Sequence, residues 1–184
     1  MGERGMTTTV RNYRHIEVRP VAGALGDARP PSPPPASWAF SPANGVAIWS
    51  IRMAPGASWT LPAASSDVLR GLYFFSGPSL KVDGNALGSR TVAIVEPSRA
   101  LALQAGDAEC EVLLLQGKPI QEPVAQHGPF VMNNRAELQQ AFMDYQRTQF
   151  GGWPWKRDDP VHEREEARFA RHADGRIERH PWQK

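Results

Sequence analysis

The sequence predicts a mainly β fold: a single antiparallel sandwich or small barrel, followed by one α-helix and a tail. Three observations carry this. Short apolar or alternating segments succeed one another from Val46 to Gly117, punctuated by glycine and proline, with no helical period between them. Asp83-Gly84 stands between two of these segments, and that pair suits the positive φ angles of a two-residue hairpin turn. At Asn134 the period changes, and Leu138, Ala141, Phe142 and Tyr145 fall on one stripe of an amphipathic helix.

Taken in order, "MGERGMTTTVRNYRH" is polar and lacks an apolar core, so residues 1–14 read as a flexible leader. "RHIEVRPVAG" alternates Ile16, Val18 and Pro20 against polar neighbours and reads as an edge strand. The six prolines of "DARPPSPPPASWAFSPANG" make extended backbone that can wrap a surface or link two parts, and read as an intradomain connector in preference to a proline-recognition ligand. The strands are then "VAIWSIRM", "ASWTL", "RGLYFFSG", "SLKV", "NAL", "RTVAIVE", "RALALQA" and "CEVLLLQG". Asn134 followed by Glu137 is an N-cap with a capping-box partner, so the helix starts near Arg135. Gly151-Gly152 is expected to end it, because glycine suits the left-handed position after a helix. A short helix from about His162 to Arg171 and an "ADGR" turn follow. Trp153, Trp155, Phe169 and Trp182 indicate a tail laid back over the domain. The boundaries are therefore 1–14 for the leader, 15–127 for the barrel, and 128–184 for a helix and tail packing on it.

Composition excludes several classes. The chain has 184 residues, enough for one core with an extension, and a formal net charge of +2. No Lys/Arg block marks a nucleic-acid face. No run reaches the roughly 18 apolar residues of a membrane helix. The single cysteine, Cys110, excludes an internal disulfide, and the flanking Glu109 and Glu111 oppose a thiolate, so it reads as an ordinary strand residue. Without a disulfide pair or targeting sequence, the expected location is the cytoplasm.

The all-β region, then "GKPIQEPVAQHGPFVMN", a helix containing "AFMDYQ" and a close in "FGG", resembles the pirin family of the cupin superfamily. "FGGWPW…DDPVH…FARHADGR" strengthens the resemblance, which is to the C-terminal half of a pirin and runs from about His15 onward. It implies a cupin-type, RmlC-like jelly roll. A complete pirin has two such barrels in tandem, with iron or another divalent metal held by three histidines and a glutamate in the first. Nothing before His15 is long enough for that barrel, so no cofactor is expected for this chain.

The general cupin metal pattern can be laid over the remaining barrel. Counting forward from Gly56 puts Pro62 and Ala64 at the two histidine positions; counting back from Gly77 puts Arg70 at the glutamate. Taking Pro97 as the proline of the second motif puts Arg99 at its glycine, Ala102 at its histidine and Gly106 at its asparagine. None is an imidazole, and a transition metal in such a site needs imidazole nitrogens with a carboxylate.

Strand alternation places Arg70, Leu72, Phe74 and Ser76 on one face, the face that points into a cupin barrel. These four residues form the candidate ligand cavity. Arg70 reads either as an anchor for a small carboxylate or phosphate or, preferentially, as an arginine at the barrel mouth paired with Asp67 or another acid. Trp49, Trp59, Tyr73 and Phe75 read as core in preference to pocket lining. His127, His162, His172 and His180 show no metal-ligand spacing and read as surface or hydrogen-bonded residues. "SSD" at 65–67 has no base nearby, and no phosphate loop or nucleophile elbow is present.

Three functional readings follow. The first is a metal-free pirin-like cupin acting as a structural or protein-interaction module, not catalytic on its own. It would be a homodimer or would bind a protein partner over the face that a pirin packs against its N-terminal cupin. The second is one half of a metal-dependent quercetin 2,3-dioxygenase whose N-terminal cupin is supplied upstream or in trans. The third is a small-acid-binding cupin that uses Arg70.

Overall fold

Along Ile16–Ala22 every second side chain is buried, and the same period recurs in Ala47–Met53, Leu101–Ala105 and Cys110–Gly117. Strands of that kind must set one face against a second apolar layer. The computed structural model, which describes residues 10–158 and 168–179, shows that layer. Two compact units divide the chain between Ile120 and Gln121.

The first unit holds β1 (Arg11–Tyr13), β2 (Ile16–Ala22), β3 (Ala47–Met53), β4 (Ser58–Leu61), β5 (Leu69–Ser76), β6 (Leu80–Val82), β7 (Asn85–Leu87), β8 (Thr91–Val95), β9 (Leu101–Ala105) and β10 (Cys110–Gly117). They form a six-stranded sheet in the order β1-β2-β3-β10-β5-β8 and a four-stranded sheet in the order β4-β9-β6-β7. Every pairing is antiparallel. Val18, Ile51, Leu72, Val112 and Leu114 of the larger sheet share one buried cluster with Leu61, Leu80 and Leu103 of the smaller. The unit is thus a β-sandwich.

Three expectations change here. Ile16–Ala22 is not an edge strand: it pairs with β3 on one side and with β1 on the other, so the edge is β1 and residues 11–13 belong to the sheet, not to a leader. Tyr73 and Phe75 are not core but lie exposed on the outer face, while Trp49 is buried and Trp59 packs partly on the cluster and on Tyr13. Ser76 does not join Arg70, Leu72 and Phe74 inside. A bulge opposes Phe74 to Val112 and Ser76 to Glu111, leaving Phe75 as the extra residue and turning Ser76 outward.

Asp83 and Gly84, at φ 49° and 78°, make the two-residue turn between β6 and β7. The Asp83 carboxylate accepts from the Ala102 amide at 2.8 Å and pairs with Arg99, tying the turn to β9. The proline-rich segment connects β2 and β3 within the unit. It is pinned where Trp38 Nε1 donates to the Lys118 carbonyl at 3.2 Å and Asn44 Nδ2 donates to the Trp38 carbonyl at 2.7 Å.

The second unit contains the hairpin β11 (Ala125–His127) and β12 (Phe130–Met132), then helix α1 (Arg135–Thr148). Asn134 Oδ1 accepts from the Glu137 amide at 3.0 Å, as expected of an N-cap, and Glu137 reaches back to the Asn133 amide at 2.9 Å. Phe142 meets Phe130 edge-on at 4.7 Å, and Phe130, Tyr145 and Phe150 complete an aromatic cluster. The stripe therefore packs on the hairpin of its own unit.

The helix ends before Gly151-Gly152. Gln149 takes the left-handed position at φ 51° and Phe150 follows at φ 49°, which returns the Phe150 ring to Phe130 and Tyr145. Phe169–Arg171, expected as helix, is a strand (β13) paired with β14 (Ile177–Arg179) around the "ADGR" turn. Residues 162–167 of that expected helix, with Trp182, lie outside the described residues.

Leu72 is fully buried in the middle of β5, whereas Ile94 on the neighbouring β8 points outward. Leu72→Ala is expected to lower unfolding free energy by about 2–5 kcal/mol, and Ile94→Ala to change it by less than about 0.5 kcal/mol, as read by chemical denaturation.

Candidate functional site

Arg70 stands on β5 opposite Gln116 of β10 and Val95 of β8. Its side chain is turned inward with Leu72 and Phe74, and only 2% of its surface is exposed. A guanidinium removed from water must find oxygen acceptors or the fold loses several kcal/mol. Nε donates to Gln116 Oε1 at 2.7 Å and Nη1 donates to the Pro62 carbonyl at 2.8 Å. The Gln116 amide is oriented from its other end, where Nε2 donates to the Gly45 carbonyl at 2.9 Å.

Every one of these acceptors is neutral. The expected ion pair with Asp67 does not form: Asp67 pairs instead with Lys118 Nζ at 2.7 Å, and that contact with a Ser65 hydrogen bond holds the carboxyl below its usual range. Burial lowers the Arg70 pKa, and no neighbouring carboxylate opposes the effect. A guanidinium stays protonated regardless, so the site carries a buried positive charge.

Arg70 and Gln116 line a cavity of about 670 Å³ that extends beneath the proline-rich connector. Trp49 and Phe40 supply aromatic surface, Pro62 part of the wall, and Arg29 a second cation. Trp49 is oriented by its Nε1, which donates to the Gly23 carbonyl at 3.0 Å. Gly23 has φ +70°, and a Cβ there would come within 2.4 Å of the Val46 carbonyl oxygen, so only glycine lets the chain approach β3 this closely.

The positions counted for cupin metal ligands can now be placed. Pro62 meets Arg70 through its carbonyl, and Pro62, Ala64 and Arg70 line the same cavity. Ala102 faces outward, between the inward Leu101 and Leu103. A guanidinium and two residues without side-chain donors do not fit a divalent cation. Among the described residues no group of three or more His, Cys, Asp and Glu side chains is arranged to hold a metal ion. His127 packs against Phe142 at 5.5 Å and His172 lies 3.4 Å from Glu178; His162 and His180 lie outside the described residues.

Sequence reasoning located Arg70, Leu72 and Phe74 but missed Gln116, the Pro62 carbonyl, Trp49 and Arg29. One signal was present. In "CEVLLLQG" Cys110, Val112, Leu114 and Gln116 share a face, so an amide occupies an inward position of an otherwise apolar strand. Cys110 itself is buried, and desolvation, reinforced by Glu109 and Glu111, raises its thiol pKa.

The two antiparallel sheets and the inward-facing residues of β5 define a cupin-type sandwich. The chain belongs to the pirin family: the sequence profile of the Pirin C-terminal cupin domain matches residues 48–151. A Vibrio cholerae protein provisionally named quercetin 2,3-dioxygenase is 29% identical over 148 residues, covering 80% of this chain and 46% of that protein. Mouse pirin is 38% identical over 66 residues, covering 31% of this chain and 23% of pirin. The crystal structure of a quercetin 2,3-dioxygenase from Acinetobacter baumannii superimposes with a TM-score of 0.63 at 27% identity, covering 78% of this chain and 48% of that one. The chain spans about half the length of the Vibrio cholerae and Acinetobacter baumannii proteins. Among the described residues no helix is long and apolar enough to cross a membrane.

Gln116→Leu strips Arg70 Nε and the Gly45 carbonyl of their partners and is expected to cost about 1–3 kcal/mol. Adding Arg70→Met should recover part of that loss, which a double-mutant cycle by denaturation measures. Cys110 should resist alkylation at pH 8 in the folded protein and react on unfolding.

Proposed function

We propose that this chain is a metal-free pirin-like cupin module that works through protein association and is not catalytic on its own. The observation that carries this is the outer face of β5 and β8. There Ile94 is 74%, Leu69 64% and Phe75 48% exposed, beside Val92 and Tyr73. The cross-strand pairs Gly71–Ile94 and Tyr73–Val92 put these side chains on one face of the sheet, next to an edge strand. An apolar face of this kind marks an interaction site.

A second cupin barrel is the occupant that best suits the face. The chain covers only about half of the Vibrio cholerae and Acinetobacter baumannii relatives, and β8 is the last strand of its sheet among the described residues. The barrel is provided either by a second copy of this chain or by a separate metal-bearing half. The names of the relatives support the latter as a second reading, in which the chain is the non-metal half of a quercetin 2,3-dioxygenase. The absence of a fitting donor set around Arg70 supports placing any metal on the partner. The proposed location is the cytoplasm.

Sedimentation of the chain alone is expected to show a dimer. Ile94→Lys should dissociate it into folded monomers with an unchanged far-UV circular dichroism spectrum, since Ile94 is exposed and lies outside the core. A wild-type monomer with no association to a metal-bearing pirin half would refute the reading. Elemental analysis should find well under one iron per chain; stoichiometric iron would contradict the metal-free assignment.

A further inference from the structure

The association face explains nothing about the opposite side of the same sheet, where a buried cation borders a cavity. We propose that this cavity binds a small organic carboxylate, held by the guanidinium of Arg70 with its apolar body against Trp49 and Phe40. Four observations converge on this.

Arg70 keeps unused donors. Its Nε and Nη1 are each engaged once, by Gln116 and by the Pro62 carbonyl, and Nη2 donates to no protein group among the described residues. Nη2 with its two N–H groups, and the second hydrogen of Nη1, therefore remain for a carboxylate to accept. Second, the Arg70 charge meets only neutral acceptors, the Gln116 amide and the Pro62 carbonyl. Among the described residues no aspartate or glutamate lines the cavity. A buried cation with only neutral acceptors is stabilised by an incoming anion more than one that already has an ion pair.

Third, the walls favour an organic anion over a bare inorganic one. Trp49, Phe40 and the prolines of the connector give apolar surface beside Arg70, and about 670 Å³ is within the size range of small-molecule sites. Fourth, the site is held in shape before a ligand arrives. Gly23 positions Trp49, Gln116 positions the guanidinium, and Trp38 and Asn44 pin the connector. Such preorganisation lowers the entropy lost on binding.

The test uses the full chain, with benzoate and inorganic phosphate as probes. Two-dimensional NMR follows the Trp49 indole N–H, assigned by Trp49→Phe, and the Arg70 Nε–H. Benzoate is expected to move both signals saturably, and phosphate to bind at least tenfold more weakly. Arg70→Lys keeps the charge but loses the fork, and should weaken benzoate at least tenfold while the backbone spectrum stays that of a folded protein. Arg29→Gln, at an exposed position, should weaken binding by a smaller factor. No saturable shift in the wild-type chain, or phosphate binding more tightly than benzoate, would overturn the proposal, and neither result requires any variant to fold. Unchanged benzoate affinity in a folded Arg70→Lys chain would overturn it as well. None of these readouts depends on whether the chain dimerises.

Discussion

The hydrogen bonding of one buried guanidinium ties together segments of this sandwich that are distant in sequence. Arg70 on β5 takes its acceptors from the Pro62 carbonyl, just past β4, and from Gln116, near the end of β10. Gln116 passes the connection to Gly45, where the proline-rich connector enters β3. Each link satisfies a polar group that the interior would otherwise strand, so displacing any of them exposes a cost to the next. The cavity is the space those links enclose. The same contacts that make a buried arginine tolerable also give the cavity its walls.

Much of this architecture is visible in the sequence because it depends on short-range rules. The Asp83-Gly84 turn needs only two residues that accept positive φ, and the Asn134 cap needs only a side chain that reaches the Glu137 amide. Burial in β2, β3 and β9 follows simple alternation. The failures occur where a distant partner decides. Gln149 adopts the left-handed end of the helix, although glycines wait two residues on, because an aromatic cluster recovers Phe150. Arg70 was legible as an inward cation. Its acceptors were not, because a carbonyl is invisible in a sequence and the expected acid, Asp67, had a nearer cation in Lys118.

The larger sheet carries two different chemistries on its two sides. Inward it offers a single charged group in an apolar setting; outward it offers an apolar surface in a polar setting. Family membership gives the first side a point of comparison, because a cupin interior is where a metal would be bound. Here that interior presents a guanidinium where a carboxylate ligand would stand, which reverses the sign of the charge it can receive. On the proposals made above, the interior receives an anion and the outer face a partner's apolar surface, with no residue required to do both.

The bulge at Phe75 has a further consequence for how such a sandwich can diverge. One extra residue on β5 turns Ser76 from the inner to the outer side, beside Glu111, and so removes a hydroxyl from the interior. Upstream of the bulge, Arg70, Leu72 and Phe74 keep their inward register because their pairing to β10 is unaffected. Gain or loss of a single residue at this point can therefore retune the far end of the barrel while the guanidinium stays in place. The register shift thus separates two ends of one strand: Ser76 beyond it faces outward, and Arg70, Leu72 and Phe74 before it stay inward.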